Sequence, residues 1–461
     1  MPCRPSLRAS TLAPEFGGRS VRIAFFTLGS RGDIEPLALL AKGFADAGHD
    51  VTFISDESAR PLVAPLAIPA HFLPGNLRER HAAGPALPSR LNLNPYLMAR
   101  ALTGGYADVI GSWAVQAAEV ALGSKLLIFS NASYGIGFSI AQRVHAIPCE
   151  ASVFPARSSR YLPSALLPWP GLPLPATARA LLHEATVRAS WLGARDVVNA
   201  ARRALDLEVI SWPFDRTQAT FRDALPVLYG YSPTLVPPPP DWPKTIAVTG
   251  FWHGPSLESW RPPQALASFL EAGPRPIYVG FGSMRDPRPE HVQDIVLRAI
   301  RRLGLRAVIA RGWGAMSAAS SSNDIFVVDE VPHDWLFPRM AAVVSHGGPG
   351  TLGAVLRAGT VPVVVPYLAD QPFWGWALER MGVAPRMVPR WRLSAGRLTA
   401  ALHRATTDAV MRARVSEVSQ QVRAENGVQR AVEAIEARLS PALVGANAAR
   451  SPARTPMEKP A

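Results

Sequence analysis

The sequence predicts an α/β protein built from two doubly wound domains, each with a parallel sheet covered by helices. Short apolar runs alternate with segments of helical periodicity, as they do in strand–helix–strand units. The alternation begins near residue 21, stops at a proline-rich stretch near residue 237 and begins again near residue 275. The chain has 461 residues, enough for two or three domains of ordinary size.

The first unit opens with Val21–Gly29, VRIAFFTLG, which has the length and composition of a buried parallel strand. Apolar residues then recur at helical spacing from Ile34 to Phe44, and Gly48 ends the predicted helix. The run HDVTFIS predicts the next strand, and SKLLIFS and IPCEASVF predict two more. This order is the βαβ opening of a doubly wound sheet.

The clearest boundary is Ser232–Lys244, SPTLVPPPPDWPK, because consecutive prolines form a stiff connector that cannot join a helix or a central strand. Beyond it, RPIYVGFGSM predicts a strand, and a helix is predicted over Pro289–Leu303. Four further β-rich runs follow. We divide the chain into a flexible leader (1–19), an N-terminal domain (20–236), a proline-rich linker (237–243), a C-terminal domain (244–405), C-terminal helices that pack back on the N-terminal domain (406–440) and a disordered tail (441–461).

Composition and charge exclude several classes of protein. A hydrophobic fraction of 48% excludes wholesale disorder. The formal net charge is +13, but arginine is spread along the chain without a long basic run, so no nucleic-acid partner is expected. Two cysteines, Cys3 and Cys149, cannot build a disulfide framework or a zinc site. The chain shows neither a secretory h-region nor an apolar run long enough to span a bilayer, so we expect a cytoplasmic protein.

The strongest chemical signal is the glycine-rich run His346-Gly347-Gly348-Pro349-Gly350-Thr351, between a predicted strand and a predicted helix. Glycines let backbone N–H groups approach an anion closely, and a helix N-terminus adds the positive end of its dipole. A glycine-rich turn with a core histidine is the plainer alternative. The next strand ends at Asp370-Gln371, which places a carboxylate and an amide beside the loop, and both groups suit sugar hydroxyls.

In the first domain, the motif Gly29-Ser30-Arg31-Gly32-Asp33 follows the first strand. A carboxylate just past the carboxyl end of a strand can face a cleft, and Asp33 is so placed, with Ser30 three residues before it. The alternative is that Asp33 caps a helix that starts near Ile34. Position alone leaves the two roles about equally supported.

These motifs together resemble the family 1 glycosyltransferases of GT-B fold, in particular the bacterial natural-product and sterol glycosyltransferase branch. The runs that carry the resemblance are GSRGDIEP, LYGYSPTLVPPPPDWP, VTGFW, YVGFGSM, RAVIARGW, EVPHDWLFPRMAAVVSHGG and the Asp-Gln pair, so that it spans nearly the whole chain. The resemblance implies two Rossmann-like doubly wound domains that face each other across a cleft. It implies an acceptor site in the first domain and a nucleotide-sugar site in the second.

The site residues follow from this resemblance. It implies that Asp33 is the catalytic base, with Ser30 beside it. The residues implied for the donor are His346, Gly348, Gly350, Thr351 and Ser283 at the diphosphate, Trp313, Val331 and His333 at the base, and Asp370 and Gln371 at the sugar. Two departures from the branch are Ser345, where a second histidine is usual, and Pro349, which has no N–H to offer a phosphate.

The resemblance implies inverting transfer of a hexose, with glucose as the expected sugar, from a UDP- or dTDP-sugar to a hydroxyl of an apolar acceptor such as a sterol or polyketide. The chain has no Asp-x-Asp pattern of the kind that holds a metal on a nucleoside diphosphate, so no metal and no cofactor is expected. A non-catalytic nucleotide-sugar-binding auxiliary protein and a nucleotide-sugar epimerase remain alternatives. Basic charge and a Pro/Leu-rich stretch at Tyr161–Leu182 are compatible with peripheral membrane contact.

Overall fold

A computed structural model of the chain describes residues 20–84, 86–211, 225–254, 260–312, 316 and 321–439. The leader 1–19, the tail 441–461 and Trp313 lie outside the described residues. The strands are β1 (Arg22–Phe26), β2 (Asp50–Asp56), β3 (Ala70–Leu73), β4 (Leu126–Ser130), β5 (Ile147–Ser152), β6 (Val227–Tyr229), β7 (Ile246–Val248), β8 (Ile277–Gly280), β9 (Ala307–Ala310), β10 (Ile325–Val328), β11 (Ala342–Ser345) and β12 (Val361–Val364).

The helices are interleaved with these strands, as expected for doubly wound sheets. They are α1 (Arg31–Asp46), α2 (Arg60–Val63), α3 (Leu77–Ala83), α4 (Pro95–Gly104), α5 (Ile110–Ala121), α6 (Tyr134–Val144), α7 (Ala176–Ala204), α8 (Gln264–Glu271), α9 (Pro289–Leu303), α10 (His333–Leu336), α11 (Pro349–Ala358), α12 (Gln371–Met381), α13 (Ala395–Thr407), α14 (Ala409–Ala424) and α15 (Gly427–Leu439).

Two parallel sheets organise the molecule. The first has seven strands in the order β3-β2-β1-β4-β5-β6-β7, and the second has five in the order β10-β9-β8-β11-β12. The central strands are buried along their length: Ile23 to Phe26 of β1 and all four residues of β11 are inaccessible to solvent or nearly so. Strands buried on both faces are apolar throughout, which is why both runs stand out in the sequence. The predicted class of two doubly wound α/β domains is confirmed.

The proline-rich stretch 237–243 does not separate the two sheets. After it, β7 pairs with β6 as the edge strand of the first sheet, with Ile246 opposite Val227 and Val248 opposite Tyr229. The boundary expected at residue 244 therefore falls inside the first sheet. The reason is physical: an edge strand of three residues is too short to carry a periodic signal.

The two helices expected to pack back on the N-terminal domain divide between the domains. Helix α14 contributes Met411 and Val415 to the core of the second sheet. Helix α15 packs on α1 of the first domain, and its Val432 and Ile435 share a core with Phe44. Glu425, just before α15, accepts hydrogen bonds from the hydroxyls of Ser232 (2.7 Å) and Thr234 (2.8 Å). These bonds hold the segment in which the chain passes from the second domain back to the first.

Candidate active site

The acidic side of the cleft is built where β1 leads into α1. The helix begins at Arg31 with Ser30 as its N-cap, and Asp33 is the third helical residue. The backbone N–H of Ser30 donates to Asp33 Oδ2 at 2.9 Å and the Ser30 hydroxyl donates to the same oxygen at 3.0 Å. The bond from the Ser30 N–H to the side chain of the third helical residue is one half of a capping box. The alternative that Asp33 itself caps a helix starting near Ile34 is therefore wrong, because Ser30 occupies the cap.

Glycine is required at position 29 by this arrangement. Gly29 has φ +143°, and a Cβ built there would lie 2.5 Å from Asp33 Oδ2. The Asp33 carboxylate thus lies directly against the Gly29 backbone. Any side chain at this position would both strain the backbone and push the carboxylate away.

Hydroxyl groups from neighbouring strands hold the loop that carries this motif. Thr27 donates to Ser130 Oγ at 2.8 Å, and the Leu28 N–H donates to Ser133 Oγ at 2.8 Å. Ser55, near the end of β2, donates to the carbonyl oxygen of Thr27 at 2.7 Å. These side chains are buried, so the hydrogen bonds fix the loop without competition from water. Sequence reasoning missed this network, since serines far apart in the chain give no local signal.

Burial raises the pKa of the Asp33 carboxyl above its ordinary value, and the two hydrogen bonds from Ser30 oppose that rise. Both bonds favour the ionised form, because they are donated to a carboxylate oxygen. The bonds end on Oδ2 and do not use Oδ1. A desolvated carboxylate with one oxygen available is suited to accept a proton from a hydroxyl group.

The opposite side of the cleft is built where β11 leads into α11. Gly347 has φ +88°, and a Cβ there would lie 2.6 Å from Val364 Cγ1. Gly348 is the N-cap of α11, and a Cβ at this position would overlap the His346 imidazole. Pro349 occupies the first helical position, where its fixed φ fits and its missing N–H costs no intrahelical bond.

The first turn of α11 presents open backbone donors. The N–H groups of Gly350 and Thr351 lie in the first helical turn, where no intrahelical acceptor is available. Gly350 is exposed, and a Cβ placed on it would meet nothing within 4 Å. This helix terminus is therefore accessible to an anion.

The His346 side chain lies between this loop and the loop that follows β8. A Cβ on Gly282 would lie 3.1 Å from His346 Cε1, so the imidazole lies against Gly282. Ser283 is the next residue in this loop. His346 Nδ1 is buried and has no hydrogen-bond partner within the part of the chain that the structure describes. Burial, and then the neighbouring His333, lower the pKa of His346 to about 4. The ring is neutral at pH 7 and can donate one N–H to a ligand.

The segment expected at the donor base contributes Val331 and His333, both half-buried. The His333 ring stacks on Phe337 with a centroid distance of 4.3 Å and an interplanar angle of 15°. Burial lowers the pKa of His333 to about 4, with a smaller contribution from the charge of Arg31. Arg31 belongs to α1 of the first domain, so the two domains meet beside His333.

Asp370 and Gln371 lie at the start of α12, after β12. Asp370 Oδ2 accepts a hydrogen bond from the indole N–H of Trp374 at 2.7 Å. Burial raises the pKa of Asp370 to about 7; the Trp374 bond lowers it, and the charge of Asp33 adds a smaller rise. Gln371 Oε1 accepts from the backbone N–H groups of Tyr367 (2.8 Å) and Leu368 (3.0 Å), while its Nε2 has Met284 Sδ at 3.5 Å.

Trp374 follows the Asp-Gln pair closely in the sequence but is not a residue of the cleft surface. Its side chain is fully buried and meets Tyr231 edge to face, with ring centroids 5.4 Å apart. Trp374 acts on the site only through Asp370. No sequence pattern distinguishes a buried indole that orients a carboxylate from one that stacks on a ligand.

A contact across the cleft joins the two sides. Arg285, two residues after Ser283, donates to the backbone oxygens of His81 and Gly84 in the first domain, the latter at 2.7 Å. Arg31 Nη1 of the first domain lies 3.9 Å from Glu330 Oε1 of the second. The structure thus brings Asp33, Asp370, His346, His333 and Ser283 to one interdomain region. In the described ranges, no group of three His, Cys, Asp or Glu side chains could hold a metal ion.

Comparison with known proteins adds independent findings. Residues 303–438 match the family described as erythromycin biosynthesis protein CIII-like, C-terminal domain. A sterol 3-beta-glucosyltransferase of Arabidopsis thaliana is 31% identical over 434 residues, which cover 90% of this chain and 65% of that protein. A sterol 3-beta-glucosyltransferase of Cryptococcus neoformans is 30% identical over 454 residues, covering 92% of this chain and 28% of that protein. The chain thus spans less than two thirds of either relative.

Solved structures share the fold. The glycotransferase of kitacinnamycin superposes with a TM-score of 0.64 at 18% identity, over 91% of this chain and 99% of that chain. The glycosyltransferase VinC in complex with dTDP superposes with a TM-score of 0.60 at 17% identity, over 91% of this chain and 99% of that chain. Both likenesses confirm the GT-B arrangement of two Rossmann-like domains.

Proposed function

We propose that this chain, which belongs to the family 1 glycosyltransferases of GT-B fold, transfers a hexose from a nucleoside diphosphate sugar to a hydroxyl of a sterol or similar apolar acceptor. The observation that carries the proposal is the position of Asp33. Its half-buried carboxylate, held by Ser30, shares one cleft with the glycine-rich loop and Asp370 of the other domain. Such a pairing of a base with an anion-binding helix terminus suits group transfer from a diphosphate.

The donor would lie on the second domain. The diphosphate would be held by the N–H groups of Gly350 and Thr351, by the dipole of α11 and by His346, whose Nδ1 has no partner among the described residues. Gly348 has no side chain to keep the diphosphate from the backbone, and Ser283 would offer a further hydroxyl. Asp370 and Gln371 would bind the sugar hydroxyls. Val331 and His333 would lie at the nucleotide base, where the resemblance also implies Trp313, a residue outside the described part of the chain. UDP is the proposed nucleotide.

The acceptor hydroxyl would attack the anomeric carbon of the sugar while Asp33 takes its proton. The bond between that carbon and the diphosphate oxygen breaks, and its electron pair leaves with the diphosphate. Attack from the face opposite the leaving group inverts the anomeric centre. The helix terminus and His346 would stabilise the charge that develops on the leaving oxygen, so that we propose a reaction without a metal.

The apolar acceptor is supported by the relatives from Arabidopsis thaliana and Cryptococcus neoformans, whose names specify sterols. The structural relative named for kitacinnamycin indicates that the same fold also serves natural-product acceptors. We propose a sterol first and a polyketide second. Glucose is the proposed sugar.

The test is mass spectrometry of the products from a matrix of donors and acceptors. UDP-glucose and dTDP-glucose are each incubated with a sterol, a polyketide aglycone and a hydrophilic alcohol, with and without EDTA. We expect one hexose to be added to the sterol from UDP-glucose, with the same yield in EDTA. Donor hydrolysis without any glycosylated acceptor would contradict the transferase assignment, and loss of product in EDTA would contradict the metal-free mechanism.

A further inference from the structure

The long helix α7 of the first domain has an exposed face that carries two leucines, an alanine and one arginine. Leu181, Ala185, Arg188 and Leu192 are spaced by four, three and four residues, so they form one stripe along the helix, and all four are exposed. Leu181 is 70% exposed and Leu192 is 40% exposed. A helix on the surface of a soluble protein normally presents polar residues on this side. We call this stripe the α7 face.

The other side of α7 is packed in the usual way, so the helix is not misplaced. His183 and Thr186 are buried, and His183 Nδ1 lies 3.1 Å from the hydroxyl of Ser164. Helix α4 lies against Gly193 closely enough that a Cβ there would overlap the backbone oxygen of Tyr96. The apolar residues of the α7 face are therefore additional to those that the domain core needs.

The proline-rich segment just before α7 exposes further large apolar side chains. Tyr161 is 60% exposed and Trp169 is 50% exposed, with Leu172 close behind at 47%. Arg179 of α7 holds this segment, donating to the backbone oxygens of Tyr161 at 3.2 Å and Leu174 at 3.0 Å. Exposed apolar side chains concentrated in neighbouring elements mark an interaction surface rather than scattered exceptions.

This segment also reaches the second domain. A Cβ on Gly171 would lie 3.4 Å from Cδ1 of Trp376, which belongs to α12 of the second domain. Helix α12 begins at Gln371, beside Asp370. The exposed apolar segment therefore lies against the helix that begins at the proposed sugar site.

The charge around this surface is positive. Between residues 158 and 194 the chain carries three arginines, Arg160, Arg179 and Arg188, and a single acidic residue, Glu184. The arginines at the two ends of this stretch are paired, Arg157 with Glu150 and Arg195 with Asp196. Apolar side chains interspersed with arginine suit the interface of a bilayer that contains anionic lipid.

We propose that the α7 face and the exposed segment Tyr161–Leu172 dock this protein on an anionic lipid bilayer. No helix within the described residues is long and apolar enough to cross a membrane, and the proposed contact is peripheral. The choice of a bilayer as the occupant rests in part on the proposed function, because an apolar acceptor partitions into membranes. Docking beside the cleft would let such an acceptor enter without crossing water.

The test is sedimentation of the full chain with vesicles, measured without donor or acceptor. Phosphatidylcholine vesicles with and without phosphatidylserine are compared for the wild type and the double variant Leu181→Ser/Leu192→Ser. The matched control is Val410→Ser, since Val410 is 79% exposed at the start of α14, in the other domain. We expect the double variant to lower the partition coefficient about tenfold or more, because two leucines lose their burial in lipid. The control should match the wild type.

Two further measurements separate the possible outcomes. Binding by the wild type should require phosphatidylserine and weaken as salt is raised, because the arginine contribution is screened. Turnover of a detergent-dispersed acceptor should be unchanged in the double variant, which separates docking from the proposed transfer reaction. Equal vesicle binding by both proteins, or no binding by the wild type, would overturn the proposal. A wild-type dimer in sedimentation velocity that the double variant abolishes would assign the face to a second copy instead.

Discussion

Asp33 and Asp370 come from different domains, follow the ends of different parallel strands and share one cleft, yet their surroundings differ. Burial raises the pKa of both carboxyls. Asp33 receives two hydrogen bonds from Ser30 that favour its charge, whereas Asp370 receives one from an indole and lies in the field of Asp33. The pKa of Asp370 therefore reaches about 7.

This difference supports a division of roles in the proposed reaction. A carboxylate whose charge is stabilised by two hydrogen bonds from Ser30 can accept a proton, as a general base must. A carboxyl that is partly protonated near neutral pH can both donate to and accept from sugar hydroxyls. Asp33 and Asp370 thus occupy similar topological positions but take different proposed roles, general base and sugar ligand, because their hydrogen-bond partners differ.

The largest expected effect is that of Asp33→Asn, which keeps the shape of the side chain and removes the base. Loss of a general base typically lowers kcat by about 100- to 10,000-fold. Steady-state kinetics with a saturating donor and acceptor would measure this loss. Turnover within a few fold of the wild type would exclude Asp33 as the base.

The next largest effect is expected for Gly29→Ala. The added Cβ would lie 2.5 Å from Asp33 Oδ2, at a backbone φ of +143° that alanine rarely adopts. Displacing a catalytic group by about 1 Å can cost up to about 100-fold in rate. The matched control is Gly396→Ala, where a Cβ meets nothing within 4 Å. We expect kcat to fall in the first variant alone, and equal kinetics would contradict the proposed position of Asp33.

His346→Ala should have a smaller effect, chiefly on the donor. A hydrogen bond to a charged group contributes about 1.5–3 kcal/mol, so donor affinity should fall roughly 10- to 100-fold. Because the pKa of His346 is about 4, its contribution should not vary between pH 6 and 8. Calorimetric titration with UDP would measure both, with His291→Ala on the exposed side of α9 as the control. Unchanged affinity would remove the role of His346 at the diphosphate.

The smallest effect is expected for Ser30→Ala, and it should appear as a change of pH dependence. The Ser30 hydroxyl lowers the pKa of Asp33, so its removal should raise that pKa further. The acidic limb of kcat/KM reports ionisation of the base in the free enzyme, and it should move to higher pH. The backbone N–H of Ser30 remains, so activity at alkaline pH should change little. A profile that shifts to lower pH would contradict this account.

Much of the fold could be predicted from the sequence, because buried parallel strands are continuous apolar runs and glycines end them. Helix α9 lies at Pro289–Leu303, as its periodicity predicts. Strand β7 carried too little local signal, because it has three residues. The start of α1, predicted near Ile34, lies at Arg31 with Ser30 as its cap. A helix start marked by Ser30 and an acidic residue three positions later could have been found as a capping box.

The candidate site also has features that the sequence predicts and features that it does not. Its loops could be located from glycine patterns and from a resemblance, but their partners could not. The bond from Trp374 to Asp370, the hydroxyl network under Thr27 and the contacts of Arg285 all join residues that only the tertiary fold brings together. The exposed α7 face could not be predicted for another reason. Apolar periodicity identifies a helix face but does not show whether another element covers that face.

The most direct test of this account measures kcat and the donor dissociation constant together for Asp33→Asn and Asp370→Asn. We predict that Asp33→Asn binds the nucleotide sugar as the wild type does and fails to transfer it, whereas Asp370→Asn binds the sugar donor more weakly and binds UDP alone normally. Near-normal turnover by Asp33→Asn, or a loss of donor affinity confined to that variant, would contradict the division of roles between the two aspartates.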